Sequence, residues 1–130
     1  MLRVAILDNS AIARGLLRSI LANDGYNVVS ESGVASANLS RLALLAPQLV
    51  FIDLDAETRD PQATLSDLRS KLPKALIFAV SSAFTAERIR HAGEQGANGF
   101  IVKPFNGAAI LSLIRTAIIS LVKQQKKPGD

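Results

Sequence analysis

The chain has 130 residues, of which 48% are hydrophobic and only 5% aromatic, and its formal net charge is +4. That length suits one domain with one core built from Ala, Val, Leu and Ile, and so few aromatics weigh against an aromatic-lined nucleic-acid platform. The absence of cysteine excludes a disulfide framework and a thiolate metal site, and fits a reducing compartment.

No export signal is expected, because Asp8 interrupts the apolar run of Met1 to Leu7 before a signal-peptide core is complete. Charge is distributed unevenly. Lys123, Lys126 and Lys127 cluster near the end, where a helix dipole favours cations, and read as a solvated helix end rather than a nucleic-acid contact. Asp53, Asp55, Glu57 and Asp60 crowd one short stretch.

Five short apolar runs alternate with helical patterns. A first strand is expected over Arg3 to Leu7. Ser10 then starts a helix in which Ile12, Leu16 and Ile20, with Leu17 and Leu21, recur at helical spacing, ending before Asp24-Gly25. A second strand, Tyr26 to Ser30, precedes a helix from Ala35 to Leu45 that Pro47 stops. The third strand covers Leu49 to Ile52, and Asp60-Pro61 caps a third helix running to about Lys71. Leu76 to Val80 is the fourth strand, followed by a helix from Thr85 to Gln95 with Gly96 as its C-cap. After the fifth strand, Gly99 to Val102, a last helix starts near Gly107 with Leu111, Ile114, Ile118 and Leu121 on one face and Leu113 and Ile119 off it. Its apolar stretch, Ala108 to Val122, has Arg115 in the middle and falls short of the roughly 20 residues a membrane helix needs, so no membrane is expected.

Strands without alternation are buried on both faces, and helical crossovers between them imply a doubly wound α/β domain with a five-stranded parallel sheet. Residues 1–122 form that domain, leaving 123–130 as a basic tail or linker remnant. Ligands in such sheets bind beyond the carboxyl ends of the strands, where the winding reverses. Here those ends carry Asp8-Asn9, Asp53-Leu54-Asp55, Ser81-Ser82 and Lys103-Pro104. Gathered carboxylates repel unless a cation sits among them, and hard oxygen ligands favour Mg²⁺, which uses one or two carboxylates plus phosphate oxygens. Lys103 and the Ser81 hydroxyl suit the remaining phosphate oxygens, and together these parts describe phosphoryl transfer to an aspartate.

Four segments resemble the response-regulator receiver domain family: Val4-Ala5-Ile6-Leu7-Asp8-Asn9-Ser10 with Arg14, Pro47 to Asp53, Ala79-Val80-Ser81-Ser82, and Gly96 to Phe105. The likeness runs from Arg3 to about Val122. It implies a flavodoxin-like (βα)5 fold and a cytoplasmic two-component switch, a phosphoacceptor with at most slow self-dephosphorylation rather than an enzyme. By that resemblance Asp53 receives the phosphoryl group from a histidine kinase or phosphotransfer protein, and Asp8 and Asn9 hold Mg²⁺ with it. Lys103 stabilises the transferred charge, Ser81 is the hydroxyl switch and Phe100 the rotating aromatic, and Lys103-Pro104 matches the family's cis bond. An output partner would meet the face of helix 4, strand 5 and helix 5, which carries Arg88, His91 and Glu94, with His91 read as solvated. Direct nucleic-acid binding is not expected.

The pattern departs from the family at several points. Asn9 replaces the second acid of the pair, which predicts weaker Mg²⁺ binding through its carbonyl. Asp55 adds an acid that joins the metal site through a water, orients hydrolytic water, or is a solvated loop group. Glu57 stands near the family's usual loop proline, and the extra apolar positions of helix 5 suggest a homodimer or partner surface. Two other readings stay open. One is a receiver-shaped binding module that needs no phosphorylation, and the other a haloacid-dehalogenase-like phosphatase, suggested by Asp53-Leu54-Asp55 but opposed by Glu57 and by Asp130 being the only acid after Lys103.

Overall fold

The structure is a computed structural model that describes residues 2–55 and 61–125. Its elements alternate in chain order: β1 (Arg3–Leu7), α1 (Ala11–Asn23), β2 (Asn27–Ser32), α2 (Leu39–Leu45), β3 (Leu49–Asp53), α3 (Pro61–Lys71), β4 (Leu76–Ser81), α4 (Ala86–Glu94), β5 (Gly99–Val102) and α5 (Gly107–Gln125). The strands form one parallel five-stranded sheet in the order β2-β1-β3-β4-β5, so the winding reverses between β1 and β3. This is the doubly wound sheet expected from the alternation of apolar runs.

Because side chains alternate across a strand, each strand feeds two cores. Ala5, Leu7, Val50, Ile52, Ile77 and Ala79 pack against α2, α3 and α4 through Leu42, Leu65, Leu68 and Ala92. Val4, Ile6, Phe51, Phe78, Val80 and Ile101 face the other way, onto Leu17 and Leu21 of α1 and Ile110 and Ile114 of α5. Phe51 and Phe78 lie opposite each other on adjacent strands and stack with centroids 5.2 Å apart. Ile12 and Leu16, on the expected periodic face of α1, are exposed instead.

Element ends differ from the expected ones at β2, α2 and α5. β2 runs Asn27–Ser32 rather than Tyr26 to Ser30, and beyond its last pair the Asp8 amide still donates to the Ser32 carbonyl at 2.9 Å. Helix α2 starts at Leu39, not Ala35, because Asn38 caps it by accepting from the Arg41 amide at 3.0 Å. Helix α5 continues through Lys123 to Gln125, so the tail expected from residue 123 begins inside it. Gly107–Gln124 is by length and composition apolar enough to cross a membrane, more than its shorter uninterrupted apolar run suggests, yet it packs Ile110 and Ile114 against the sheet. Leu113, expected off the packed face, also lies against this core, whereas Ile119 is exposed. Glu57, Asp60, Lys126, Lys127 and Asp130 fall outside the described residues.

At the amino ends of β4 and β5 one guanidinium fastens three segments. Arg69 donates to the carbonyls of Leu72 at 3.1 Å, Ala75 at 2.8 Å and Gly96 at 2.7 Å, and to Asn98 Oδ1 at 2.6 Å. Gly96 has a φ of +114°, and a Cβ there would stand 2.7 Å from Arg69 Cγ, so both conformation and space require glycine behind α4. A lysine in place of Arg69 lacks the fork and leaves partly buried carbonyls without donors. Arg69→Lys is therefore expected to cost about 1–3 kcal/mol in urea unfolding, with an unchanged denaturant slope.

Candidate functional site

The sheet order delivers two carboxylates to adjacent strand ends. Asp53 is the last residue of β3 and Asp8 follows β1; they are 6% and 4% exposed. Lys103, just after β5, reaches back over the sheet edge to place Nζ 2.8 Å from Asp8 Oδ2 and 3.5 Å from Asp53 Oδ2. The peptide between Lys103 and Pro104 is cis. Local backbone fixes the other oxygen of each acid: the Ser10 amide donates to Asp8 Oδ1 at 2.8 Å, and the Asp55 amide to Asp53 Oδ1 at 3.0 Å.

The surroundings of Asp53 change its proton affinity. Burial, with repulsion from Asp8 and Asp55, pushes the Asp53 pKa up, although the Asp55 amide and the Lys103 charge oppose it. Burial would lower the Lys103 pKa, but its hydrogen bond to Asp8 and the charge of Asp53 outweigh that and raise it. Two buried carboxylates share one ammonium, so the ionised set keeps an excess negative charge and presents hard oxygen donors. That donor chemistry fits Mg²⁺, which needs few protein ligands. Among the described residues there is no cluster of three or more metal-ligating acids, histidines or cysteines.

Two expected ligands point elsewhere. Asn9 Oδ1 accepts from the Val34 amide at 2.8 Å and so pins the loop between β2 and α2. Asp55 turns toward β4, where its oxygens accept from the Ser81 hydroxyl at 2.7 Å, the Ser82 amide at 2.8 Å and the Ser82 hydroxyl at 2.9 Å, and pair with Arg88 at 3.1 Å. Burial alone would raise the Asp55 pKa; these hydrogen bonds and the Arg88 charge together hold it below the usual carboxylate value. As placed, the Asn9 carbonyl and the Asp55 carboxylate accept from protein donors, which a metal contact would have to share or displace.

Ser81, fully buried at the end of β4, faces Asp55 rather than Asp53. Phe100 on β5 is half-buried and meets the Phe84 ring edge-on, centroids 5.6 Å apart. His91 and Glu94 are exposed on α4, but Arg88, expected beside them, turns inward and donates to the Leu54 carbonyl at 2.6 Å as well as to Asp55 and Ser81. One signal for this was present in the sequence. Arg88 lies in the first turn of α4, after the Thr85 cap, where the helix dipole disfavours a cation unless an anion is close.

A five-stranded doubly wound parallel sheet in the order β2-β1-β3-β4-β5, with two acids and a lysine gathered at its carboxyl ends, defines the class of flavodoxin-like α/β domains. The chain belongs to the response regulator receiver domain family, whose model matches residues 4–115. It is 31% identical over 118 residues to the transcriptional regulatory protein PdtaR of Mycobacterium tuberculosis, covering 89% of this chain and 56% of that protein. The chain thus spans about half the length of that relative. It is 27% identical to the chemotaxis protein CheY of Bacillus subtilis, covering 89% of this chain and 97% of CheY. Among solved structures, a CheY-like receiver domain from Methanospirillum hungatei superposes with a TM-score of 0.85 at 19% identity, covering 95% of this chain and 98% of that one. CheY in a CheX-CheY-BeF₃-Mg complex from Borrelia burgdorferi gives 0.83 at 20% identity, covering 90% of this chain and 89% of that one. The chain is a receiver domain of the two-component type, a signalling domain rather than an enzyme of the ordinary kind.

The raised Asp53 pKa makes a stability prediction. Between the unfolded value, ~3.9, and the raised folded value, the native state binds more protons than the unfolded chain, so this group's contribution falls as pH rises through that window. Asp53→Asn removes the penalty. At pH 7 it is expected to raise the melting temperature by a few degrees, a gain that disappears when melting is repeated below pH ~3.9.

Proposed function

We propose that Asp53 is the phosphoacceptor of a cytoplasmic two-component switch, receiving its phosphoryl group from a phosphohistidine on a kinase or phosphotransfer protein. The observation that carries this is the buried pair of Asp8 and Asp53 with Lys103 bonded across both. An isolated structural domain gains little from keeping such charges out of water, whereas a phosphoryl site needs fixed charge around an acyl oxygen.

In the transfer an Asp53 carboxylate oxygen attacks phosphorus, the phosphorus–nitrogen bond breaks, and the imidazole leaves with its electron pair and is protonated. The Asp55 amide orients Asp53 through Oδ1, and the Lys103 ammonium, beside Oδ2, stabilises charge on the phosphoryl oxygens. Mg²⁺, held by Asp8 and Asp53, would supply the remaining neutralisation of that charge. Ser81 is the hydroxyl that afterwards turns to a phosphoryl oxygen, and Phe100 the ring that follows it. The resulting change is read on the face of α4, β5 and α5, where Ile89, Val102 and Ile119 are exposed apolar side chains that suit an output partner or a second copy.

The commitment of Asn9 to Val34 favours a second reading, a receiver-shaped module that switches without phosphorylation. Incubation with acetyl phosphate and Mg²⁺ separates the two. A phosphoryl adduct in the intact mass, absent from Asp53→Asn, is expected for the phosphoacceptor; no Asp53-dependent adduct leaves the binding module. Repeated turnover of a phosphate monoester would instead revive the phosphatase. Asn9→Asp restores a second acid and is expected to tighten Mg²⁺ binding by about tenfold in a calorimetric titration.

A further inference from the structure

This inference rests on Asp53 being the phosphoacceptor and concerns what opposes the switch before transfer. A serine hydroxyl has one proton and two lone pairs. In Ser81 all three are engaged: it donates to Asp55 Oδ1 at 2.7 Å and accepts from the Ala83 amide at 3.1 Å and Arg88 Nη1 at 2.9 Å. The Ala83 carbonyl, 3.2 Å away, is a second acceptor within reach of its proton, so to donate to a phosphoryl oxygen on Asp53 the hydroxyl must give up both Asp55 and that carbonyl. Its partners are themselves anchored. Asp55 Oδ2 is held by the amide and hydroxyl of Ser82, and Arg88 Nη2 grips the Leu54 carbonyl at 2.6 Å. One side chain from the first turn of α4 thus ties the loop after β3 to the loop after β4.

We propose that Arg88, acting through Asp55 and Ser81, is a latch that holds the β4 hydroxyl and the start of α4 in the resting arrangement, and that a phosphoryl group on Asp53 has to break it. The guanidinium suits this task because its fork bonds a carbonyl on one side and a carboxylate and hydroxyl on the other, which an ammonium does less well. Release also has a route outward. Phe84 lies in the loop between Ser81 and α4 and packs against Phe100, so displacement of that loop removes the contact that holds the Phe100 ring.

The test titrates the phosphoryl mimic BeF₃⁻, with Mg²⁺, into the full chain and follows amide resonances by NMR. Binding by the native chain that is lost in Asp53→Asn supports the phosphoacceptor reading; no binding by the native chain overturns that reading and the latch with it. Given native binding, Arg88→Ala and Asp55→Asn are each expected to bind BeF₃⁻ about tenfold more tightly, as for loss of a charge-assisted hydrogen bond made only in the resting state. Arg88→Lys should fall between native and Arg88→Ala, and the double variant should gain less than the product of the single ones. Without BeF₃⁻ or Mg²⁺, the Ser81 and Phe100 amides of Arg88→Ala should already move toward their bound positions. Equal or weaker binding in both single variants, with at most a lower melting temperature, assigns Arg88 a purely structural role and overturns the latch. Where Arg88→Ala does not fold, Asp55→Asn decides by the same criterion.

Discussion

Two carboxylates buried side by side cannot both stay ionised without a cation between them. The top of this sheet is organised around that constraint. The strand order puts Asp8 and Asp53 on neighbouring strands, where their repulsion is unavoidable, and the return of the chain after β5 brings Lys103 to both. Backbone amides at Ser10 and Asp55 take the outward oxygens, leaving the inward ones to face the ammonium. The acid at the switch point is therefore fixed in position, in a charge balance that an added cation or a phosphoryl group would change.

The opposite end of the sheet is built for permanence. Arg69 saturates the carbonyls left by the end of α3 and the turn behind α4, so the segments leading into β4 and β5 are held by a side chain with no role in the charge balance above. The alternating cores of the central strands connect the two ends with little freedom, since Phe51, Phe78 and their neighbours are close to fully buried. The bonds at the carboxyl-end loops are by contrast polar and partly solvated.

The sheet was legible because β3 and β4 read as uninterrupted apolar runs, which only a doubly covered parallel strand tolerates. Asp8, Asp53 and Lys103 were legible as strand-end positions, since a parallel sheet brings all such ends to one edge. Capping detail was harder to read: the Ala35 start for α2 overlooked Asn38, whose side chain competes for the first free amides. The directions of Asn9 and Asp55 were not legible at all. Both sit in loops just past strand ends, where tertiary partners, the Val34 amide for Asn9 and Ser81 for Asp55, decide which way the side chain turns. Arg88 was misplaced for a related reason, its helical position suggesting a surface while its length allowed it to turn inward.

Charge at the strand ends is shared unequally. Asp8, Asp53 and Asp55 bring three carboxylates, while Lys103 and Arg88 bring two cations, each bonded to a different part of the set. Lys103 serves the acceptor pair and Arg88 serves Asp55, so the acceptor side alone carries the deficit. A phosphoryl group deepens that deficit by one or more further negative charges. The balance can be restored by a divalent cation beside Asp8 or by drawing positive charge from the Asp55 side. The second route requires the bonds of Arg88 to rearrange, and those bonds are the ones that fix the first turn of α4. Under the proposed phosphorylation of Asp53, charge compensation there and the position of α4 would in this way form one equilibrium, set by how the carboxyl-end cations are shared.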